Sequence, residues 1–135
     1  MIAIGSDHGG FDLKESVIKH LKENGVEVKD VGCYAKESCD YPVFGHAVAE
    51  AVTSGECEKA ILCCGTGIGM SMMANKVKGI RASLVSDLFS AEMTRAHNDA
   101  NVLCMGARII SEYMAWEFTK VWLSTEHLGG KYAKR

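Results

Sequence analysis

Apolar and polar positions along this chain alternate between two periods. The opening MIAIGS is apolar for four residues and stops at glycine, as a strand covered on both faces would. Between Asp12 and Asn24 the residues Leu13, Val17, Ile18 and Leu21 fall on one helical stripe, closed by Gly25. The same couple recurs as VEVKDVG and VFGHAVAEAV, KAILCC and IGMSMMANKV, IRASLVS and LFSAEMTRAH, NVLCMG and EYMAWEFTKVWL. Five β-α units in strict alternation predict a five-stranded parallel sheet with helices on both faces, because parallel neighbours need crossovers and crossovers are right-handed. The lone proline, Pro42, falls at a helix start, where its missing N–H costs little. No linker, repeat or low-complexity tract interrupts the pattern, so residues 1–135 read as a single α/β domain.

Composition narrows the classes. With 47% apolar residues the chain can fill a real core, yet its longest purely apolar run, Ala60 to Cys64, is far short of the ~20 residues of a membrane span. The start MIAIGSDHGG carries no basic region or cleavage site, so a soluble, untargeted cytoplasmic protein is expected. A net charge of −2 supplies no basic field for nucleic acid or an anionic membrane; the tail KYAKR is the one cationic cluster. Six cysteines (Cys33, Cys39, Cys57, Cys63, Cys64, Cys104) form no CxxC pair, which favours free thiols over disulfides or a zinc site. No metal or organic cofactor is expected.

In an open α/β sheet, ligands bind beyond the carboxyl ends of the strands. Those ends carry Ser6, Asp7 and His8 after the first strand and Cys64, Gly65 and Thr66 after the third. Ser86 and Asp87 follow the fourth, and Gly106 and Arg108 the fifth. Gly65, Gly67 and Gly69 open a helix, and small residues there let backbone N–H groups curl around an anion. The run is neither a dinucleotide fingerprint, which needs glycine where Met70 stands, nor a P-loop, since no Gly-Lys-Ser/Thr follows.

Successive strand residues face opposite ways, so Cys63 and Cys64 cannot serve one site. Cys64 lies nearest the helix N-terminus, where partial positive charge favours an anion, and is the candidate reactive thiol. A cysteine phosphatase would place arginine six positions on, where Met70 or Gly69 stands, and a response-regulator receiver would need aspartate in place of Cys64. One reading left open, beside that of a small buried packing residue, is a thiolate acting as general base beside a carbonyl, with loop amides stabilising an enediolate. Met70, Met72 and Met73 read as packing residues.

The motifs GSDHGGFDLK, DYP, CGTGIGMSMMANK, GIRA and RAHNDANVLCMGAR, in this order over the whole chain, resemble ribose-5-phosphate isomerase type B, a family that includes galactose- and allose-6-phosphate isomerase subunits. The resemblance implies a three-layer α/β/α, Rossmann-like sandwich and an aldose-ketose isomerase working through an enediolate without metal or cofactor. It also implies active sites shared between the subunits of a homodimer, or of a tetramer built from it. Cys64 matches the base that moves the proton between C1 and C2 of ribose 5-phosphate and ribulose 5-phosphate, in the pentose phosphate pathway. Thr66 and His97 match the pair that opens the furanose ring. Asp7 and His8 match residues holding sugar hydroxyls. Asn98 and the backbone of Gly65, Gly67, Gly69 and Ser71 match the enediolate pocket, so the anion of the glycine loop would be the intermediate and not the phosphate. Arg108, Lys131 and Arg135 match the phosphate-binding cations.

The tail departs from the pattern. Where the family shows Gly-Gly-Arg-His, this chain has Gly129, Gly130, Lys131 and Tyr132, and lysine lacks arginine's bidentate fork. The chain also stops at Arg135, where relatives commonly continue. A 6-phosphohexose (allose or galactose 6-phosphate) stays open as the alternative substrate, and a non-catalytic sugar-phosphate sensor as the reading from another class.

Overall fold

The computed structural model describes residues 1–34, 37 and 40–135, which leaves Cys39 outside the described residues. The strands are β1 (Ile2–Ser6), β2 (Val28–Gly32), β3 (Lys59–Cys64), β4 (Ala82–Leu84) and β5 (Val102–Gly106). The helices are α1 (Phe11–Glu23), α2 (Tyr41–Thr53), α3 (Ile68–Asn75), α4 (Leu88–Ala96), α5 (Glu112–Ser124) and α6 (Lys131–Lys134), with a 3₁₀ turn at His8–Gly10 before α1. All strand pairs are parallel and the sheet order is β2-β1-β3-β5-β4.

Strand alternation divides the core in two. Ile61, Cys63, Leu103 and Met105 point to the face covered by α1, α4 and α5, where Leu13, Val17, Ala91, Phe118 and Trp122 meet them. Leu62, Cys64, Val102 and Cys104 point to the face covered by α2 and α3, against Val48, Met70 and Ala74. The expected three-layer sandwich is thus observed. The chain leaves β1 and β5 toward the first face and leaves β3, which lies between them, toward the second. Loops therefore part on both sides of the carboxyl end of β3, the topological condition for a ligand crevice.

Two elements differ from the pattern's expectation. The stretch IRASLVS yields only three strand residues, because Arg81 turns its carbonyl to the N–H groups of Asn101 and Val102. On the outer edge of β4 the Asn75 side-chain amide bonds both main-chain groups of Ala82, at 2.8 and 2.9 Å. The polar tail forms the short helix α6, and the Leu128 N–H donates to the Ala96 carbonyl at the end of α4.

Lys14, which shares the helical face of Val17, Ile18 and Leu21, is fully buried. Its ammonium donates to both oxygens of Asp30, at 2.9 and 3.0 Å, and lies 5.2 Å from the centroid of the Phe11 ring. Asp30 in turn accepts from the Gly32 N–H, so the pair ties the start of α1 to the end of β2. Removing one partner of a buried pair strands the other. Lys14→Met is expected to lower stability by about 2 kcal/mol, discounted because Asp30 keeps some water contact. A urea titration in which the midpoint stays at the wild-type value would contradict this.

Candidate active site

The carboxyl edge gathers most of the expected residues. Asp7 accepts from the Gly10 N–H at 3.0 Å and so caps the turn that leads into α1, while His8 beside it is exposed. The loops after β1 and β3 touch: a Cβ built on Gly9 would lie 3.3 Å from both Asp7 Oδ1 and the Gly65 nitrogen. The β5 loop closes the other side, with the Arg108 N–H donating to the Gly65 carbonyl at 2.9 Å and the Arg108 side chain lying along Gly65. Gly106 has no room for a side chain, since a Cβ there would come within 2.6 Å of the Thr66 backbone. This contact seats the glycine loop on the end of β5.

The loop aims one backbone donor at the Cys64 sulfur. Gly67, held at φ 82° in the left-handed region that glycine adopts without strain, turns its N–H to Cys64 Sγ at 3.0 Å. Thr66 Oγ1 accepts from the Ile68 N–H, and Ser71 Oγ donates to the Ile68 carbonyl. The first-turn N–H groups of α3, Gly69 among them, lack intrahelical partners and face the same crevice mouth. Cys64 retains 6% exposure, whereas Cys63 and Cys104 have none. Burial pushes the Cys63 thiol up to about 12 and raises that of Cys104 as well, so both are inert packing groups. The opposed faces of Cys63 and Cys64, read from strand alternation, are observed.

The carboxylates nearest Arg108 in the neighbouring loops do not neutralise it. Asp87 caps α4, and the Ser90 backbone N–H and hydroxyl hold its carboxyl below the usual carboxylate range. Among the described residues, Arg108 makes no ion pair with Asp87 or Glu112. An exposed guanidinium beside the glycine loop is a ready anion receptor.

The remaining expected residues lie elsewhere. His97 and Asn98 follow α4, which starts at the carboxyl edge and runs back to the amino edge, where the Asn101 carbonyl accepts from the Ala60 N–H at the start of β3. With a rise of about 3.3 Å per residue, the five residues of β5 alone separate that edge from Cys64 by about 16 Å. Lys131 and Arg135 share the amino edge. Arg135 lines a cavity of about 260 Å³ with Arg81, His97, Asn98 and Tyr132. One chain therefore does not bring Cys64 and Thr66 together with His97 and Asn98. The expected residues fall in two groups on opposite edges of its sheet.

A sequence profile described as Ribose/Galactose Isomerase matches residues 2–135. The chain belongs to this family. Ribose-5-phosphate isomerase B of Escherichia coli K12 is 46% identical over 134 residues, covering 99% of this chain and 90% of that protein. D-erythrulose-4-phosphate isomerase of Pectobacterium atrosepticum is 40% identical over 135 residues, covering 99% and 89%. The structure of Clostridium thermocellum ribose-5-phosphate isomerase B superposes with a TM-score of 0.98 at 50% identity, covering 99% of this chain and 90% of that one.

Three features of the site escaped sequence reading. Arg81 donates from Nε to the Asn98 carbonyl at 2.8 Å, bracing the turn that presents His97 and Asn98. Its motif GIRA was visible, but nothing in a single sequence ties residue 81 to residue 98. Tyr132 stacks on the His97 imidazole, with centroids 4.1 Å apart and planes 6° from parallel. Met72, expected to pack, is 63% exposed, and with Ile68, Leu84, Leu88 and Phe89 it leaves an apolar surface on α3, β4 and the start of α4. Amphipathic spacing reports which residues are apolar and not what covers them.

Proposed function

We propose that this isomerase-family chain interconverts ribose 5-phosphate and ribulose 5-phosphate in the pentose phosphate pathway, as a cytoplasmic homodimer whose active sites each draw on both subunits. The observation that carries the chemistry is the Gly67 N–H directed at Cys64 Sγ beneath the glycine loop. The observation that carries the assembly is the division of the expected residues between two sheet edges. An isologous two-fold axis perpendicular to the strands reverses their direction, so each carboxyl edge meets the partner's amino edge. The exposed apolar side chains of Ile68, Met72, Leu84, Leu88 and Phe89 supply a surface for that contact.

In this reading Thr66 of one subunit and His97 of the partner subunit open the furanose, with His97 handing a proton to the ring oxygen. Asp7 and His8 hold the chain's hydroxyls. The Cys64 thiolate takes the proton from C2, and the electron pair moves to make the C1–C2 double bond of an enediolate. The amides of Gly65, Gly67 and Gly69 and the partner's Asn98 stabilise its negative oxygen, each such donor being worth about 10²–10³ in rate; the Ser71 N–H, expected in the same pocket, is instead taken up by the Gly67 carbonyl at 3.1 Å. The proton returns from Cys64 to C1, and the hydroxyl proton passes from O2 to O1, so atoms and charge balance without an outside reductant. Arg108 with Lys131 and Arg135 of the partner holds the phosphate.

Proton NMR of the purified protein with ribose 5-phosphate in deuterated water tests this. Ribulose 5-phosphate carrying deuterium at C1 is the expected product. Turnover of allose or galactose 6-phosphate in its place keeps the mechanism and changes the substrate, while absence of exchange with any of these sugars leaves a binding protein and sinks the proposal.

A further inference from the structure

The His97 imidazole has its backbone fixed at the end of α4 by the bond from its N–H to the Met93 carbonyl, but that bond leaves the ring free to turn about its side-chain torsions. Among the described residues, one aromatic ring is stacked against it, that of Tyr132. The tail delivers this ring by defined steps. Arg95 donates from Nε to the Thr125 carbonyl, the Leu128 N–H bonds the Ala96 carbonyl, and Gly129 and Gly130, both at positive φ, bend the chain back so that the Tyr132 N–H reaches the Gly129 carbonyl. The ring is half-buried and lies among cations, with Lys131 Nζ 5.2 Å and Arg135 Cζ 5.9 Å from its centroid. Imidazole, phenol ring and the Arg135 guanidinium thus line one cavity with Asn98, and the Lys131 ammonium lies against the phenol ring.

We infer that Tyr132 is a positioning residue: its ring fixes the plane of the His97 imidazole and, through the same contacts, the places of Lys131 and Arg135. The inference rests on the isomerase reading for the role of His97. Parallel planes at this separation allow the imidazole to slide slightly but not to turn, and a ring-opening acid that must meet one oxygen loses rate steeply with misorientation. The part required of Tyr132 is its flat face, so the hydroxyl is dispensable.

The test uses full-length wild type, Tyr132→Phe and Tyr132→Leu, with kcat and KM for ribose 5-phosphate and the His97 Hε1 resonance, assigned by its loss in His97→Gln. Tyr132→Phe is expected to keep kcat within about twofold and leave Hε1 in place, while Tyr132→Leu lowers kcat about tenfold, raises KM and moves Hε1 downfield as the ring current disappears. Independently of how the leucine variant folds, the wild-type spectrum decides on its own: Hε1 of His97 belongs upfield of its free-imidazole position, and a resonance at that position overturns the inference. So does wild-type kcat in Tyr132→Leu, or a tenfold loss in Tyr132→Phe. Wild type without any turnover refutes the isomerase reading and the inference with it, whereas normal wild-type turnover with an unimpaired Tyr132→Leu refutes the inference alone.

Discussion

Cys64→Ala is expected to lose at least about a thousandfold in kcat for ribose 5-phosphate while its affinity for the sugar stays within a few-fold. The sulfur is the atom on which the Gly67 N–H converges, and alanine leaves the loop without a proton acceptor at that point. In the proposed mechanism binding draws on other groups: Asp7, His8, Arg108 and the loop amides. The contrasting variant is Cys63→Ala. One residue away in sequence, Cys63 faces the core under α1 and α5 and its thiol is held near 12, so its removal leaves kcat within about twofold and costs only packing. Steady-state kinetics with isothermal titration of the sugar phosphate would decide both, and a Cys64→Ala enzyme of near wild-type rate would remove the proposed base.

Mixing two dead enzymes is expected to yield a live one. Cys64→Ala spoils the carboxyl-edge half-site and His97→Gln the amino-edge half-site, so each homodimer has two broken sites. A heterodimer joins the intact Cys64 of one chain to the intact His97 of the other. It has one whole site and one doubly damaged site. Random exchange makes half the dimers mixed, so about a quarter of wild-type activity is recovered. Activity assays after co-refolding measure it. Recovery that stays at the level of the separate variants would mean that each chain builds its site alone, against the separation of the two edges.

Much of this was readable before any coordinates. Five β-α units, the strand KAILCC to the residue and the opposed faces of Cys63 and Cys64 followed from periodicity, because burial on both faces of a parallel sheet leaves few choices. What periodicity could not convey was distance across the sheet. His97 was legible as a helix end, and a helix that returns from a strand's carboxyl end must finish at the amino edge, but the resemblance that named its role gave shared sites without saying which residues lie on which edge. The burial of Lys14 was not legible, because the cost of burying an ammonium is offset largely by Asp30, a partner sixteen residues away, together with the neighbouring Glu15 carboxylate and the Phe11 ring. The tail showed as polar sequence, and its contact with His97 joins residues 97 and 132, which no local pattern links.

The stitch between Asn75 and Ala82 bears on how this protein can change over evolutionary time. An open edge strand is ordinarily an invitation to lengthen the sheet with another chain's backbone. Here a side-chain amide already occupies both main-chain groups of Ala82 on the outer edge of a strand only three residues long. In the proposed homodimer, contact at this edge is made through side chains such as Leu84 and Phe89, and not through a shared backbone ladder. Partner choice is thereby separated from the fold: substitutions on that surface can redirect which chain is accepted, or divide two half-sites between diverged copies, while the sheet beneath keeps every hydrogen bond it has.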